Sequence, residues 1–200
     1  MNSSKPRDER RAREIARTRQ DILAAAGRAF GRHGYYAATM QEIAHEAGFT
    51  AASLYTYFKS KEAIHAALCE DVKMRLLATY DEPAPAGLRF AQRLELLLQR
   101  QLAMVVEHLD ALRVLFDVGP PREQERDAHT AFIARTTRFF AEEGRRELRV
   151  PPREAAYLLL GLTHAHFQSW LYGDQVPDPR NLAARLVDVF LRGAGRSEHP

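Results

Sequence analysis

Thr39 to Ile64 reads TMQEIAHEAGFTAASLYTYFKSKEAI, and the order of hydroxyls, apolar residues and glycine in it decides the fold. Thr39 with Glu42 three residues later makes a capping box. Each of the two side chains takes up a backbone N–H that a first helical turn leaves unpaired. Met40, Ile43, Ala44 and Ala47 then share one helical face. Gly48 ends that helix after barely two turns, Phe49 follows as an apolar plug, and Thr50 or Ala51 opens another helix reaching about Phe58. Leu54 and Phe58 form the inner stripe of this second piece, and Ser60 caps a further helix starting near Lys61. Two short helices joined by a tight glycine-containing turn are the plan of a helix-turn-helix, whose second helix enters the major groove of DNA.

Working outward, residues 1–12 read as a mobile basic arm, followed by a helix from about Arg13 to His33. Ile22, Ala26 and Phe30 lie four apart on its apolar face, and Gly34 stops it. The helix opened at Lys61 runs to about Tyr80, where DEPAPAG breaks it. Gly87 to His108 is amphipathic, with Leu94, Leu98, Leu102 and Val105 along one side. A short apolar helix from Ala111 to Val118 stops at Gly119-Pro120-Pro121, and another spans about Arg122 to Glu143, ended by Gly144. Pro151-Pro152 precedes a helix to about Tyr172, GDQVPDP leads to a last one from Asn181 to Arg192, and the tail from Gly193 is expected to fray. The expected fold is all-α with about nine helices. An N-terminal three-helix helix-turn-helix domain, residues 1–65 with the basic arm, joins a larger helical domain, residues 66–200.

Composition agrees. Hydrophobic residues make up 46% of the 200, enough for a packed core, and β-branched runs are nearly absent. The net charge of +3 is unevenly placed: residues 1–65 carry 11 Lys and Arg against 7 Asp and Glu, the remainder 18 against 19. The basic excess therefore lies beside the helix-turn-helix, which suits a polyanionic partner. The lone Cys69 excludes an internal disulfide framework and a Cys-rich zinc site. His164 and His166, two apart, point to nearly opposite sides of a helix, and no spacing links His108 with His129, so neither a metal nor a cofactor is expected. No apolar run reaches the roughly 18 residues a membrane span requires, and the charged N-terminus lacks the apolar core of a signal peptide. A cytoplasmic protein is expected.

On the second helix, Ser53 and Thr56 face away from Leu54 and Phe58 and can meet base edges, while Tyr55, Tyr57 and Lys61 can donate to phosphates. Here the chain resembles a family. Gly34-Tyr35 together with the Thr39–Ile64 run is similar to the DNA-binding domain of TetR (tetracycline repressor-like) regulators. Their pattern has a Thr opening helix two, an Ile-Ala pair within it, Ala-Gly-hydrophobic-Ser/Thr at the turn, then Leu-Tyr-x-Tyr-Phe and Lys-Glu. The match covers about the first third of the chain. The resemblance implies that Thr39 anchors helix two at the phosphate backbone and that Thr50, Ala51, Ala52, Ser53 and Thr56 form the surface offered to the groove. It implies further that Tyr55 and Tyr57 contact phosphates or buttress the helix, and that Lys61 contacts phosphate. Two positions depart from the pattern: a lysine is common where this chain has Ala51, and a histidine where it has Thr56. An alanine methyl can touch only a thymine methyl, so direct readout is expected to be sparse and DNA shape, or arm arginines such as Arg13 and Arg17, to contribute.

The resemblance implies a homodimer reading two half-sites about 34–36 Å apart, joined through the last two helices. Gly161, Ala165 and Ser169 supply a strip of small residues there, and Leu182, Leu186 and Phe190, with Val189 beside them, an apolar face. It also implies a cavity for a small, largely apolar effector, with Phe116, Phe132, His164, Phe167, Gln168 and Trp170 as candidate lining residues and His164 with Gln168 as the polar pair. The expected function is a DNA-binding transcriptional regulator, a repressor released from its operator by that effector, with double-stranded DNA as partner and no membrane. An activator on the same fold is the nearest alternative. A helical-bundle enzyme or apolar-ligand carrier is the competing class, but no GxSxG, HExxH, P-loop or GxGxxG pattern is present.

Overall fold

The computed structural model describes residues 5–119, 122–173 and 175–194. Among them the chain forms nine α-helices: α1 (Lys5–His33), α2 (Met40–Glu46), α3 (Ala51–Tyr57), α4 (Lys61–Ala78), α5 (Phe90–Glu107), α6 (Leu109–Val118), α7 (Arg122–Phe139), α8 (Pro152–Leu171) and α9 (Pro179–Ala194). A π-helical turn, Phe140–Gly144, continues α7. Among the described residues no helix is long and apolar enough to cross a membrane. Residues 1–4 of the expected arm, the Pro120-Pro121 stop and the tail beyond Ala194 lie outside the described residues.

The largest departure from the sequence reading is at the start. Residues 5–12 are the first turns of α1 rather than a mobile arm. Arg, Glu and Ala are strong helix formers, so a charge-rich segment continues a helix without any apolar partner. Arg13 Nε donates to the Glu9 carbonyl at 3.3 Å within this stretch. Downstream, Gly34 leaves the helix at φ +74, and its N–H donates to the Phe30 carbonyl at 2.8 Å.

Two compact units divide the described chain, one holding residues through Glu70 together with the end of α6 from Arg113, the other holding the rest. The division falls inside α4 and α6 rather than at residue 65. In the first unit α1 packs on α2 and α2 on α3. Ile22, Ala26 and Phe30 of α1, Ile43 and Ala44 of α2, Leu54 of α3 and Ile64 of α4 are core residues of this unit, each at most 1% exposed.

In the second unit α5 packs against α9 and α7 against α8. Leu94, Leu98 and Leu102 line one face of α5, as the spacing predicts. Phe140 stacks on Phe190 with ring centroids 5.4 Å apart, and Trp170 is buried in the same core. Leu182, Leu186 and Phe190 are 1%, 5% and 2% exposed within the single chain. That corrects their expected place in a subunit interface. An apolar stripe on a terminal helix satisfies a core as well as a partner, and here α5 takes it, at about 1.5–3 kcal/mol per fully buried side chain.

The π-helical turn ends at a close approach. A Cβ built on Gly144 would lie 2.6 Å from the Phe90 ring, which itself packs on Phe139 and Phe140 at 6.3 and 6.1 Å. The glycine at 144 thus serves close approach of α5 as well as ending the helix. Gly144→Ala is expected to lower stability by about 1–3 kcal/mol through overpacking, read from denaturant unfolding of the whole chain.

Candidate nucleic-acid interface

The turn between α2 and α3 is closed by backbone hydrogen bonds. Gly48, at φ +75, donates to the His45 carbonyl at 3.1 Å, and Phe49 N–H donates to the Ala44 carbonyl at 2.8 Å. This pair of bonds is the Schellman stop, which needs a left-handed residue and therefore a glycine. At the start of α2 the capping box closes: Glu42 N–H donates to Thr39 Oγ1 at 3.2 Å, while Thr39 N–H and hydroxyl donate to Glu42 Oε2 at 2.7 and 2.9 Å. These bonds hold the Glu42 carboxyl below its ordinary pKa. Thr39 is thereby the N-cap, with its hydroxyl proton already engaged.

Helix α3 is held at both ends. Thr50 is its N-cap, accepting from Ser53 N–H at 3.2 Å and donating its own proton to Ser53 Oγ at 3.1 Å. At the far end Arg19 of α1 donates to the Tyr57 carbonyl at 2.7 Å and lies 4.1 Å from the centroid of the Phe58 ring. Lys59 Nζ donates to the Tyr55 carbonyl at 3.2 Å. Cations on the last carbonyls of a helix suit its dipole. Sequence reading did not single out Arg19 or Lys59, since an arginine 38 residues away carries no local signal.

With Leu54 and Phe58 buried, α3 turns Thr50, Ala52, Tyr55 and Thr56 outward, with Ala51 and Ser53 half-buried. Thr56 donates its proton to the Ser53 carbonyl at 2.7 Å, so its oxygen can only accept and its methyl can only pack. Ser53 Oγ accepts from Thr50, which leaves its own proton available. Tyr55 is 43% exposed, whereas Tyr57 is half-buried edge-on to Phe49 at 6.1 Å and buttresses the turn.

Lys61 sits differently from the expected phosphate contact. Its Nζ donates to the carbonyls of Tyr35, Tyr36 and Ala38 at 2.7, 3.1 and 2.9 Å, and lies 4.6 Å from the Tyr35 ring centroid. An ammonium has three protons, so all are engaged in holding the α1–α2 loop. Beneath it, His65 is buried edge-on to Tyr35 at 5.1 Å, and burial pushes its pKa down. Across the loop Glu46 of α2 takes Arg28 Nε at 2.8 Å and pairs with Arg32, which pulls its carboxyl down to about 2.

The remaining sequence-predicted residues are scattered. Phe116 falls in the first unit and is 45% exposed. Phe132, His164, Phe167, Gln168 and Trp170 fall in the second. There Trp170 is 1% exposed core, Phe132 packs on Tyr80 at 6.0 Å, and His164 Nε2 and Gln168 Nε2 are 3.3 Å apart on the surface of α8. Gly161 and Ala165 are exposed on α8, and Ser169, half-buried, donates to the His166 carbonyl at 2.9 Å.

Two measurements follow from this frame. Lys61→Met leaves three carbonyls without their cation, so the first unit should lose about 1–3 kcal/mol in denaturant unfolding. Glu46, with its pKa depressed in the folded chain, contributes stability that is present above its unfolded value of about 4.3 and is lost as pH falls toward 2. Glu46→Gln should flatten the acid limb of the stability profile in that window.

Comparison with known proteins extends the picture. The sequence model of the family described as bacterial regulatory proteins, tetR family, matches residues 22–68. An HTH-type transcriptional regulator of Bacillus subtilis, YdgC, is 27% identical over 180 residues, covering 88% of this chain and 92% of the relative. Among solved structures, SmeT, the repressor of the Stenotrophomonas maltophilia multidrug efflux pump SmeDEF, superposes with a TM-score of 0.71 at 18% identity, over 90% of this chain and 91% of that one. The regulator FadR of Bacillus subtilis, solved in complex with stearoyl-CoA, gives 0.72 at 17% identity, over 87% and 98%. Residues 22–68 are therefore similar to the helix-turn-helix of tetR-family bacterial regulators, the chain is similar to an HTH-type regulator along most of its length, and it shares the all-helical fold of SmeT and FadR.

Proposed function

We propose that the chain is a homodimeric DNA-binding repressor that a small-molecule effector releases from its operator. The observation that carries the reading is the outward face of α3, which is polar, exposed and braced at both ends while its inner face is buried. Thr50, Ala51, Ala52, Ser53, Tyr55 and Thr56 offer a short, lean surface to the major groove. Ser53 is the donor for a base edge, Thr56 an acceptor or a methyl contact, and the alanines can touch thymine methyls. Thr39 and Tyr57 shape the approach of α2 and α3 to the backbone. The phosphate-contacting cation is Lys59, whose side chain is exposed and keeps two ammonium protons beyond its bond to Tyr55, rather than Lys61.

Dimerisation uses the outer face of α8. Leu158, exposed at 45%, continues through Gly161 and Ala165, and Val189 of α9 is 54% exposed. Small residues there allow another helix close approach. An effector acts by binding the conformation unable to grip DNA better than the one that can.

Mobility-shift titration against DNA flanking the chain's own gene tests the reading. Lys59→Ala should weaken binding to all sequences and reduce the salt slope by about one unit, whereas Ser53→Ala should alter preference at particular base pairs. The absence of any salt-sensitive, sequence-selective complex would defeat the proposal. Gly161→Arg should shift sedimentation from dimer to monomer and abolish tight operator binding while the helical content stays unchanged.

A further inference from the structure

A cleft of about 240 Å³ lies in the second unit, where the loop after α4 crosses α5 and the end of α7. Four arginines line it, and each meets a carboxylate. Arg93 reaches Glu143 Oε1 at 2.9 Å, Arg100 reaches Glu82 Oε2 at 2.9 Å, Arg138 reaches Glu142 Oε1 at 2.8 Å, and Arg135 pairs with Asp81.

In the Arg100–Glu82 and Arg135–Asp81 pairs the two sides are not held alike. Arg100 also donates to the Glu82 and Pro83 carbonyls at 2.9 and 2.7 Å, and Arg93 Nε donates to the Leu88 carbonyl at 3.3 Å. The Arg135 guanidinium lies 5.7 Å from the ring centroid of Tyr80, whose hydroxyl is fixed 2.6 Å from Thr136 Oγ1. Arg100 and Arg135 have side chains 22% and 30% exposed, whereas those of Glu82 and Asp81 are 51% and 72% exposed. A carboxylate in such a pair loses little by swinging into water. A guanidinium tied to backbone carbonyls or resting on an aromatic face cannot leave without losing those contacts. Arg100 and Arg135 are therefore the fixed partners and Glu82 and Asp81 the exchangeable ones, while Arg138 and Glu142, 67% and 57% exposed, form a solvent-facing pair at the mouth.

We propose that this cleft binds small molecules carrying a carboxylate or phosphate on a short apolar body. The oxyanion displaces Asp81 and Glu142 from Arg135 and Arg138, which stand three apart on one face of α7 and present adjacent forks. The body lies on Leu96, Leu97 and Phe139. The volume is just under the range of about 300–1,000 Å³ usual for ligand pockets, which suits a one-ring acid. None of the six residues that sequence reading assigned to an effector lines this cleft. The inference deepens the effector reading and rests on it only for what binding does to DNA affinity.

Calorimetry on the full chain without DNA tests occupancy, using benzoate, phenyl phosphate, benzyl alcohol and inorganic phosphate. Saturable binding of benzoate or phenyl phosphate is expected, with the alcohol and inorganic phosphate each about tenfold weaker or more; the stronger of the two anions identifies the headgroup. Arg135→Gln should lower that affinity about tenfold or more, and Arg138→Gln, at the exposed mouth, provides the same reading should the first variant lose its fold. Neither anion binding in the millimolar range, benzyl alcohol binding equally well, or both folded variants binding like the parent would each overturn the proposal. A mobility shift repeated with the bound anion separates the two ideas: an unchanged DNA complex leaves the site standing and removes its role as effector site.

Discussion

A left-handed residue at Gly48 is the constraint on which the recognition surface depends. Because that residue reverses the chain at φ +75, the carbonyls closing α2 are satisfied without any side chain, and Thr50, two residues later, can cap α3. Helices of seven residues have little stability of their own. They persist because caps at Thr39 and Thr50 remove unpaired donors, and because Ile43, Leu54 and Phe58 are buried in the core. A side chain at residue 48 would meet open space but a strained backbone, so the requirement is conformational rather than steric.

Around that turn, cations act largely as ties between elements. Arg19 binds the end of α3 to α1, Lys61 gathers three carbonyls of the α1–α2 loop, and Arg28 with Arg32 joins α1 to Glu46 of α2. In the second unit Arg100 does the same for the loop following α4. A basic residue count therefore overstates the hydrogen-bond donors such a domain can offer to a polyanion. What matters is how many N–H groups each cation has left once the fold has taken its share, which is why Lys59 and Lys61, two residues apart, fall into different roles.

Much of the fold was legible from local chemistry. The capping box, the glycine stops and the apolar spacing placed α2, α3 and the core face of α5 within a residue or two, since each depends on neighbours no more than a few positions away. The start of α1 was misread because charge density resembles disorder even where Arg, Glu and Ala favour helix. The inner residues of α9 were read as a partner face because periodicity reports that a stripe is buried but not against what.

By itself, then, the sequence determined the helices, the turn and the polar outer face of α3, all set by hydrogen bonds and spacing within a few residues. Only the tertiary structure decided which elements receive those faces and which cations remain available. It turned Lys61 from an expected phosphate contact into the cation holding the α1–α2 loop, buried Leu182, Leu186 and Phe190 beneath α5, and gathered Arg93, Arg100, Arg135 and Arg138 around one cleft. The physical reason is common to all three. Burial and long-range hydrogen bonding join residues whose separation along the chain carries no period or motif.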